Sequence, residues 1–341
     1  MCILKFRRRA AAVCLLAAAI TLVLATACAP IRNTPAAAAG PASQYVFCYF
    51  TNGGEDGLHL ALSDDGYHYT ALHGGKSYLA PAVGESKLFR DPCILLGPDG
   101  VYRMVWTDSW TGVTIGYSSS RDLIHWSPQR AIDVNKNHPT ALNTWAPEVH
   151  WDQAHQQYII FWSSTIPGAF PETAQSGDPV TGSDQKYNHR VYCTTTKDFE
   201  TFTPSRLYFD PGYECIDATV LPADGRFYLI FKDETLLPIA RKDLHTAVST
   251  SMEGPFTDVS PAITRNWVEG PTAIQLGQKY VIFFDCYREQ HFGAVESTDL
   301  KNWTDITANI KLPEGCRHGT VFAVAPVTAD ALLAYDRSTG N

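Results

Sequence analysis

The sequence has no excess of positive charge and no closely spaced pair of cysteines, and both absences narrow the classes of function. Its 341 residues carry 27 Lys and Arg against 35 Asp and Glu, a formal net charge of −8. Nucleic-acid binding needs clustered Lys and Arg to contact phosphates, so that class is excluded. Because no cysteines show the Cys-x-x-Cys spacing of a structural zinc site, we expect no metal ligands and no required cofactor.

Apolar residues spaced like one face of a helix are also scarce, whereas turn residues are frequent. Hydrophobic residues make up 45% of the chain, and the aromatic residues include 16 Tyr, 16 Phe and 8 Trp. Such side chains favour stacked β-sheets and sites that lay an aromatic ring against a sugar. The composition therefore indicates an all-β protein with a sizeable core.

Residues 1–28 predict a signal peptide. A basic stretch at residues 7–9 precedes an apolar run over residues 10–27, as in a signal peptide. Small residues before Cys28 resemble a bacterial lipoprotein cleavage site. Lipidation at Cys28, cleavage nearby without a lipid, and an uncleaved membrane anchor all stay open. Residues 29–43 are rich in Ala and Pro and predict a tether, so we expect an exported bacterial protein, at the cell surface, secreted or periplasmic.

A degenerate repeat of three elements fills residues 44–341. The first element is a short strand that opens with a polar or charged residue, and the second is a Tyr-rich apolar strand. The third is a Ser/Thr-rich strand that runs into Asp-Leu-x-x-Trp or a relative of it. Five copies predict five four-stranded blades around one axis, a five-bladed β-propeller. The first elements contain Arg90-Asp91, Trp145-Ala146, Ile216-Asp217, Glu269-Gly270 and Arg317-His318.

The order of the elements also predicts how the ring closes. Residues 45–69 hold a middle and an outer element but no inner strand, and the inner strand at residues 317–325 comes last. The two ends of the propeller are therefore expected to share one blade. Such closure removes the exposed edges that endanger any sheet protein.

In a propeller the inner strands line a central channel and their first residues meet at one mouth. Acids crowded there repel one another, which raises the pKa of some and leaves others ionised. Glycoside hydrolysis needs that separation, because one carboxyl donates a proton to the leaving oxygen while another activates water or attacks the sugar. The side chains expected at the mouth are Asp91, Trp145, Glu148, Asp217, Glu269 and His318.

Five motifs resemble those of glycoside hydrolase family 43, the inverting five-bladed propellers that act on arabinosides, xylosides and galactosides. The resemblance implies that Asp91 is the general base, that Glu269 is the general acid, and that Asp217 orients the acid and tunes its pKa. Asp217-Ala218-Thr219 departs from the family's Asp-Pro-Ser, which suggests an outlying branch. The motifs are Arg90-Asp91-Pro92, Trp145-Ala146-Pro147-Glu148, Ile216-Asp217-Ala218-Thr219, Glu269-Gly270-Pro271 and Arg317-His318-Gly319.

Several further residues are candidates for the same pocket. Glu214 lies close enough in sequence to compete with Asp217, and the resemblance places His318 near the channel centre, where a bound calcium ion is an open option. A loop over residues 166–186 is expected to rim the pocket. The candidates for contact with the sugar are Trp145, Trp110, Trp267, His318, Arg317 and Glu148.

The expected function is hydrolysis of terminal or side-chain arabinofuranosyl, xylosyl or galactosyl residues, by a monomer whose partner is an oligo- or polysaccharide. Two alternatives stay open. Arg90-Asp91-Pro92 and Glu214-Cys215 also resemble motifs of fructan-type propeller hydrolases, although the upstream Asn-Asp-Pro-Asn motif is absent. The other alternative is a surface propeller that binds carbohydrate without cleaving it. The six cysteines after Cys28 sit mostly in apolar strands, which favours buried free thiols over disulfides.

Overall fold

The computed structural model describes residues 44–173 and 187–339. The predicted signal segment, Cys28, the tether and most of the predicted rim loop lie outside these ranges. Within them, no helix is both long enough and apolar enough to cross a membrane.

Short strands make up nearly all of the regular structure, joined by turns and three short 3-10 helices at His73–Gly75, Pro171–Thr173 and Thr307–Asn309. One α-helix, α1 (Pro326–Thr339), ends the described chain. The strands are β1 (Gln44–Thr51), β2 (His59–Ser63), β3 (Thr70–Ala71), β4 (Arg90–Leu96), β5 (Tyr102–Thr107), β6 (Thr114–Ser120), β7 (Arg130–Asp133), β8 (Trp145–Asp152), β9 (Gln157–Ser164), β10 (Arg190–Thr196), β11 (Arg206–Phe209), β12 (Cys215–Ala223), β13 (Arg226–Asp233), β14 (Leu244–Ser249), β15 (Glu269–Leu276), β16 (Lys279–Cys286), β17 (His291–Ser297), β18 (Thr304–Asp305) and β19 (Cys316–Val324).

These strands form five antiparallel sheets, which confirms the predicted five-bladed propeller. Blade one is β4 to β7, blade two is β8 to β11, blade three is β12 to β14, and blade four is β15 to β18. Blade three has three strands rather than the expected four. An isolated bridge between Val248 and Thr257 stands where its outer strand would begin.

Blade five joins the two ends of the propeller, as the order of the repeats predicts. Its sheet runs β19-β1-β2-β3, so the last strand of the chain is innermost. β19 pairs antiparallel with β1, with Tyr49 opposite Gly319 and Gln44 opposite Val324. A Cβ on Gly319 would meet the carbonyl oxygen of Cys48 at 1.8 Å, so only glycine permits this approach.

The core lies between neighbouring blades, where the apolar faces of successive sheets pack together. All six cysteines in the described ranges are buried free thiols. The helix α1, which the sequence pattern did not predict, buries Ala329 and Leu332 in the cluster between blades five and one. The backbone N–H of His73 donates to the helix residue Asp336 at 2.5 Å.

A bulge at the start of the inner strand recurs in blades one to four. The pairing register shifts between Arg90 and Cys93, and at the equivalent places in β8, β12 and β15. The second residue of each motif has a positive φ, which is 51° at Asp91, 46° at Ala146, 51° at Asp217 and 58° at Gly270. A bulge turns the strand locally and re-aims its side chains. This repeated distortion is what places the first residues of the inner strands around one pocket.

Candidate active site

The bulged ends of the inner strands surround one cavity of about 350 Å³. That volume lies within the range of about 300–1,000 Å³ typical of small-molecule sites. The cavity brings together the three predicted carboxyl residues from blades one, three and four. Its lining includes Phe50, Arg90, Asp91, Thr107, Trp110, Trp145, Tyr187, His189, Glu214, Asp217, Lys232, Glu234, Lys242, Trp267, Glu269, Tyr287, Arg288 and His318.

Asp91 is held as a carboxylate by two neighbours. The hydroxyl of Thr107 accepts from the Ala146 N–H at 2.8 Å and donates to Asp91 Oδ2 at 2.8 Å. His318 Nδ1 lies 3.2 Å from Asp91 Oδ1. Burial alone would raise the pKa of Asp91, but the hydrogen bond and charge of His318, with Arg90 and Thr107, lower it to about 2. Asp91 is therefore ionised at any pH near neutral.

His318 is the cation at the centre of the acids. Burial alone would lower its pKa, but contact with Asp91 and the charges of Asp217 and Glu148 raise it to about 9. A Cβ on Gly270 would lie 2.4 Å from His318 Cγ, and the φ of Gly270 is itself positive. Position 270 in the Glu-Gly-Pro motif must therefore be glycine, because any side chain there would collide with the imidazole of His318.

Asp217 has the opposite environment from Asp91. Its Oδ2 accepts from the Gly270 N–H at 3.0 Å, and its own N–H donates to the Ser163 hydroxyl at 3.2 Å. Burial, together with the negative charges of Glu269 and Asp91, raises the pKa of Asp217 to about 6. The pocket therefore contains one carboxyl that stays ionised and one that holds a proton in mildly acidic solution.

Glu269 lies between two cations. Lys232 Nζ donates to its Oε2 at 3.1 Å, and Arg317 Nη2 donates to its Oε1 at 3.4 Å. Burial opposes ionisation, but the charge and hydrogen bond of Lys232 and the charge of Arg317 lower the pKa of Glu269. This is the reverse of what an isolated general acid needs. Because the pKa of Asp217 is raised to about 6, Asp217 binds a proton more readily than Glu269 does.

The cations around Glu269 belong to a chain of alternating charges that the sequence motifs did not reveal. Lys232 is buried in β13 and also contacts Glu234 Oε2 at 2.7 Å. Glu234 in turn pairs with Lys242. On the other side, Arg317 Nε donates to Asp285 Oδ2 at 2.6 Å. Neither lysine is on an inner strand. The sequence signal for Lys232 is a charged residue in the apolar strand β13, whereas Lys242 lies in the connection before β14.

The three predicted tryptophans all line the cavity. Trp145 donates its indole N–H to the Trp110 carbonyl at 2.9 Å, and the two rings meet edge to face. Trp110 is 48% exposed, and the guanidinium of Arg90 lies over its ring. Trp267 carries the guanidinium of Arg288 over its ring, 3.1 Å from the centroid.

Two of the predicted contacts lie outside the cavity. Glu148 is 4% exposed and accepts hydrogen bonds from Thr219 Oγ1 and His150 Nε2, each at 2.8 Å. It links blades two and three and does not face a sugar, because strand alternation beyond the bulge turns it between the blades. Arg317 is absent from the lining and acts on the site through Glu269 and Asp285.

Glu214 belongs to a pair that sequence reasoning did not find. Its Oε1 lies 2.7 Å from His189 Nδ1, and both side chains are almost fully buried. Burial opposes ionisation, yet the hydrogen bond from His189 lowers the pKa of Glu214. His189 packs against the rings of Trp145 and Tyr187. Glu214 is thus committed to His189, which leaves Asp217 as the acid of blade three beside Glu269.

Calcium near His318 was an open option. Calcium prefers oxygen ligands, and His318 Nδ1 already contacts Asp91 Oδ1, so this nitrogen is not available as a ligand. A calcium ion elsewhere near the channel centre stays a prediction. In the described ranges, the clusters with metal-like spacing are Asp152-His155-Glu253 and Asp233-Asp243-His245, neither of which includes His318. No step of the chemistry is assigned to a metal.

The geometry supports acid and base chemistry at one centre. Asp91 offers a carboxylate on the blade-one side, and the pair of Asp217 and Glu269 offers a proton on the side of blades three and four. Two groups with opposed protonation states in one pocket are what a proton-transfer mechanism requires.

Comparison with known proteins gives independent findings. The profile of a family described as "Probable glycosyl hydrolase domain", related to glycoside hydrolase family 43, matches residues 40–330. A curated alpha-L-arabinofuranosidase of Bifidobacterium longum subsp. longum is 26% identical over 261 residues, which cover 67% of this chain and 24% of that protein. The chain thus spans about a quarter of the length of that relative.

One solved structure supports the fold. A thermostable family-43 glycoside hydrolase superposes with a TM-score of 0.51 at 16% identity, covering 67% of this chain and 78% of that one. An alpha-L-arabinofuranosidase from Lactobacillus brevis gives 0.49 at 17% identity, over 63% of this chain and 71% of that one. At 16% identity, the similarity to the thermostable family-43 enzyme concerns the fold alone.

Proposed function

Because the chain belongs to the glycosyl hydrolase family related to family 43 whose profile it matches, we propose that it hydrolyses glycosidic bonds with inversion, using Asp91 and the pair of Asp217 and Glu269. The observation that carries the proposal is the separation of protonation states in one cavity. The pKa of Asp91 is about 2 and that of Asp217 is about 6. We propose further that the protein acts after export, as its first 28 residues predict.

In this proposal Asp91 deprotonates the attacking water. Thr107 and His318 fix the orientation of its carboxylate, and no covalent bond to the enzyme forms. Water adds to the anomeric carbon while the bond to the leaving oxygen breaks. The sugar is therefore released with inverted configuration.

The leaving oxygen receives its proton from the pair of Asp217 and Glu269, which titrate together because the charge of Glu269 raises the pKa of Asp217. Glu269 is the donor in this scheme, because it is partly exposed in the lining of the cavity whereas Asp217 is buried. Asp217 holds the proton at rest because Lys232 and Arg317 keep Glu269 ionised. In this scheme Glu269 takes up the proton that Asp217 releases, through solvent, and passes it to the leaving oxygen. The proton that Asp91 takes from the attacking water is returned to solvent, from which Asp217 is protonated again.

The proposed substrates are terminal or side-chain α-L-arabinofuranosyl, β-xylosyl and β-galactosyl residues of plant-type polysaccharides. The curated relative at 26% identity is an alpha-L-arabinofuranosidase, so the arabinofuranoside is the first to be tried. A panel of 4-nitrophenyl glycosides of the three sugars tests the substrate, and proton NMR of the first product anomer tests the stereochemistry. Release of the retained anomer would contradict the role given to Asp91.

Glu269→Gln tests the donor. Loss of a general acid is expected to cost about 10²–10⁴-fold in kcat on a natural linkage. A 2,4-dinitrophenyl glycoside has a leaving group that needs no proton, so the same variant is expected to cleave it at nearly the wild-type rate. Glu289→Gln, at an exposed acid outside the cavity, is the matched control. Full activity of Glu269→Gln on the natural linkage would refute the assignment.

A further inference from the structure

The cationic and imidazole side chains around the cavity fall into two groups. One group is paired with carboxylates, namely Lys232 with Glu269, Lys242 with Glu234, His318 with Asp91, and His189 with Glu214. The other group is Arg90 and Arg288, which have no carboxylate partner among the described residues. Arg90 and Arg288, which we call the rim arginines, are thus the cations of the lining that no carboxylate of the described residues contacts directly.

Both rim arginines are held on aromatic faces. The guanidinium of Arg288 lies over Trp267, and that of Arg90 lies 4.4 Å from the centre of the Trp110 ring and 4.6 Å from that of Phe50. Stacking fixes the plane of a guanidinium and leaves its edge, which carries the N–H donors, available to a ligand. One donor of Arg90 is used by the Gly53 carbonyl at 3.3 Å.

The position of Arg288 relates it to the leaving part of the substrate. Arg288 and Trp267 belong to blade four, the blade that carries Glu269. Because Glu269 donates to the leaving oxygen in the proposed mechanism, the sugar that departs lies on this side of the cavity. A planar, fixed guanidinium matches a carboxylate with two parallel hydrogen bonds, which a neutral sugar does not offer.

We infer that the rim of the cavity binds a carboxylate carried by the substrate beside the scissile bond, so that the favoured substrate contains a uronosyl residue on the leaving side. This inference rests on the proposed function and adds the chemical class of the neighbouring sugar. Arg288 is the specificity residue. Arg90 also acts electrostatically on Asp91 and Glu269 and is therefore not the residue to vary.

The test uses two oligosaccharides that differ in one group. Both carry the cleaved sugar on the same position of the next residue, which is glucuronosyl in one and glucosyl in the other, so that a C6 carboxylate replaces a hydroxymethyl group. Hydrolysis is followed by product release, and binding is measured calorimetrically with the catalytically impaired Glu269→Gln protein. Binding separates this inference from the proposed function, since an acidic preference can be measured without turnover.

For the wild type we expect KM for the acidic substrate to be about tenfold lower, as one charge-assisted contact at a partly exposed site implies. The preference should shrink as NaCl is raised, because exposed charges are screened. Arg288→Gln should lose the preference, because the affinity for the acidic ligand falls to about that for the neutral ligand. Arg265→Gln, which removes a nearby exposed arginine paired with Glu289 outside the cavity, should keep it.

Three results would overturn the inference. They are equal affinity of the wild-type protein for the two ligands, an unchanged preference in Arg288→Gln, and an equal decrease in affinity for both ligands in that variant. The last result would mean that Arg288 only supports Trp267. Failure of the proposed function would look different, since neither substrate would be hydrolysed by the wild-type protein at all.

Discussion

The opposed protonation states of Asp91 and Asp217 predict the shape of the pH–rate profile. Protonated Asp217 is the active form, and raising the pH through its pKa of about 6 removes that proton. The protonated fraction is about nine tenths at pH 5 and about one tenth at pH 7. We therefore expect kcat/KM to fall about tenfold between these pH values, and about tenfold again by pH 8.

The acidic side of the profile should be flat. Asp91 must be ionised to activate water, and its pKa of about 2 keeps it ionised throughout the range in which the protein is assayed. The assay is kcat/KM on a 4-nitrophenyl glycoside from about pH 4 to pH 8, with product read after quenching in alkali. If kcat/KM fell as the pH was lowered through 4 to 5, Asp91 would not be the base. If kcat/KM stayed constant up to pH 8 and fell only above it, Asp217 would not be the group that holds the proton.

Asp217→Asn provides the decisive variant, because the amide preserves the shape but carries no titrating proton. We expect kcat/KM to fall about 10²–10⁴-fold and the limb near pH 6 to disappear. Asp233→Asn is the matched control, since burial also raises the pKa of Asp233, in the same blade but outside the cavity. A limb that persists unchanged in Asp217→Asn would place the proton elsewhere.

Two further predictions concern the scaffold. Gly270→Ala should lower the free energy of unfolding by roughly 1–3 kcal/mol and abolish activity by displacing His318. Gly277→Ala, at a φ of 62° with open space around it, should remain active. Thermal melts and reaction rates of the two variants check both expectations. Equal behaviour of the two variants would show that the contact with His318 is unimportant. The six thiols of the described fold should resist iodoacetamide in the native protein and react after denaturation, which peptide mass spectrometry reads residue by residue; a disulfide between any two would contradict the structure.

The blade count and the closure of the ring could be predicted from sequence because each blade repeats its pattern. Five motifs in fixed order give five inner strands, and the late motif at Arg317 requires the shared blade. The same repetition placed Asp91, Asp217 and Glu269 around one cavity, since equivalent positions in a ring face one axis. Blade three lost its outer strand because the segment after Ser249 pairs through only one bridge, which a repeat pattern does not reveal.

The electrostatics of the pocket could not be predicted in the same way. Lys232 is near the end of the middle strand β13, and Glu234 follows that strand. Only the three-dimensional packing brings Lys232 into contact with Glu269 and with Glu234. The sequence therefore suggested a protonated Glu269, whereas the neighbouring lysine favours its ionised form. Glu148 was misplaced for a related reason, because the bulge in β8 changes which residues beyond it face the axis.

The place of β19 in the chain has a consequence in time. Arg317 and His318, which contact Glu269 and Asp91, are on β19, which is synthesised after every other strand in the described ranges. Until that strand reaches β1, the ring is open and the pocket lacks its central imidazolium. A chain interrupted after β15 but before β19 therefore contains Asp91, Asp217 and Glu269 but lacks the Arg317 and His318 side chains that contact Glu269 and Asp91. Assembly of the proposed catalytic centre therefore depends on the pairing of β19 with β1.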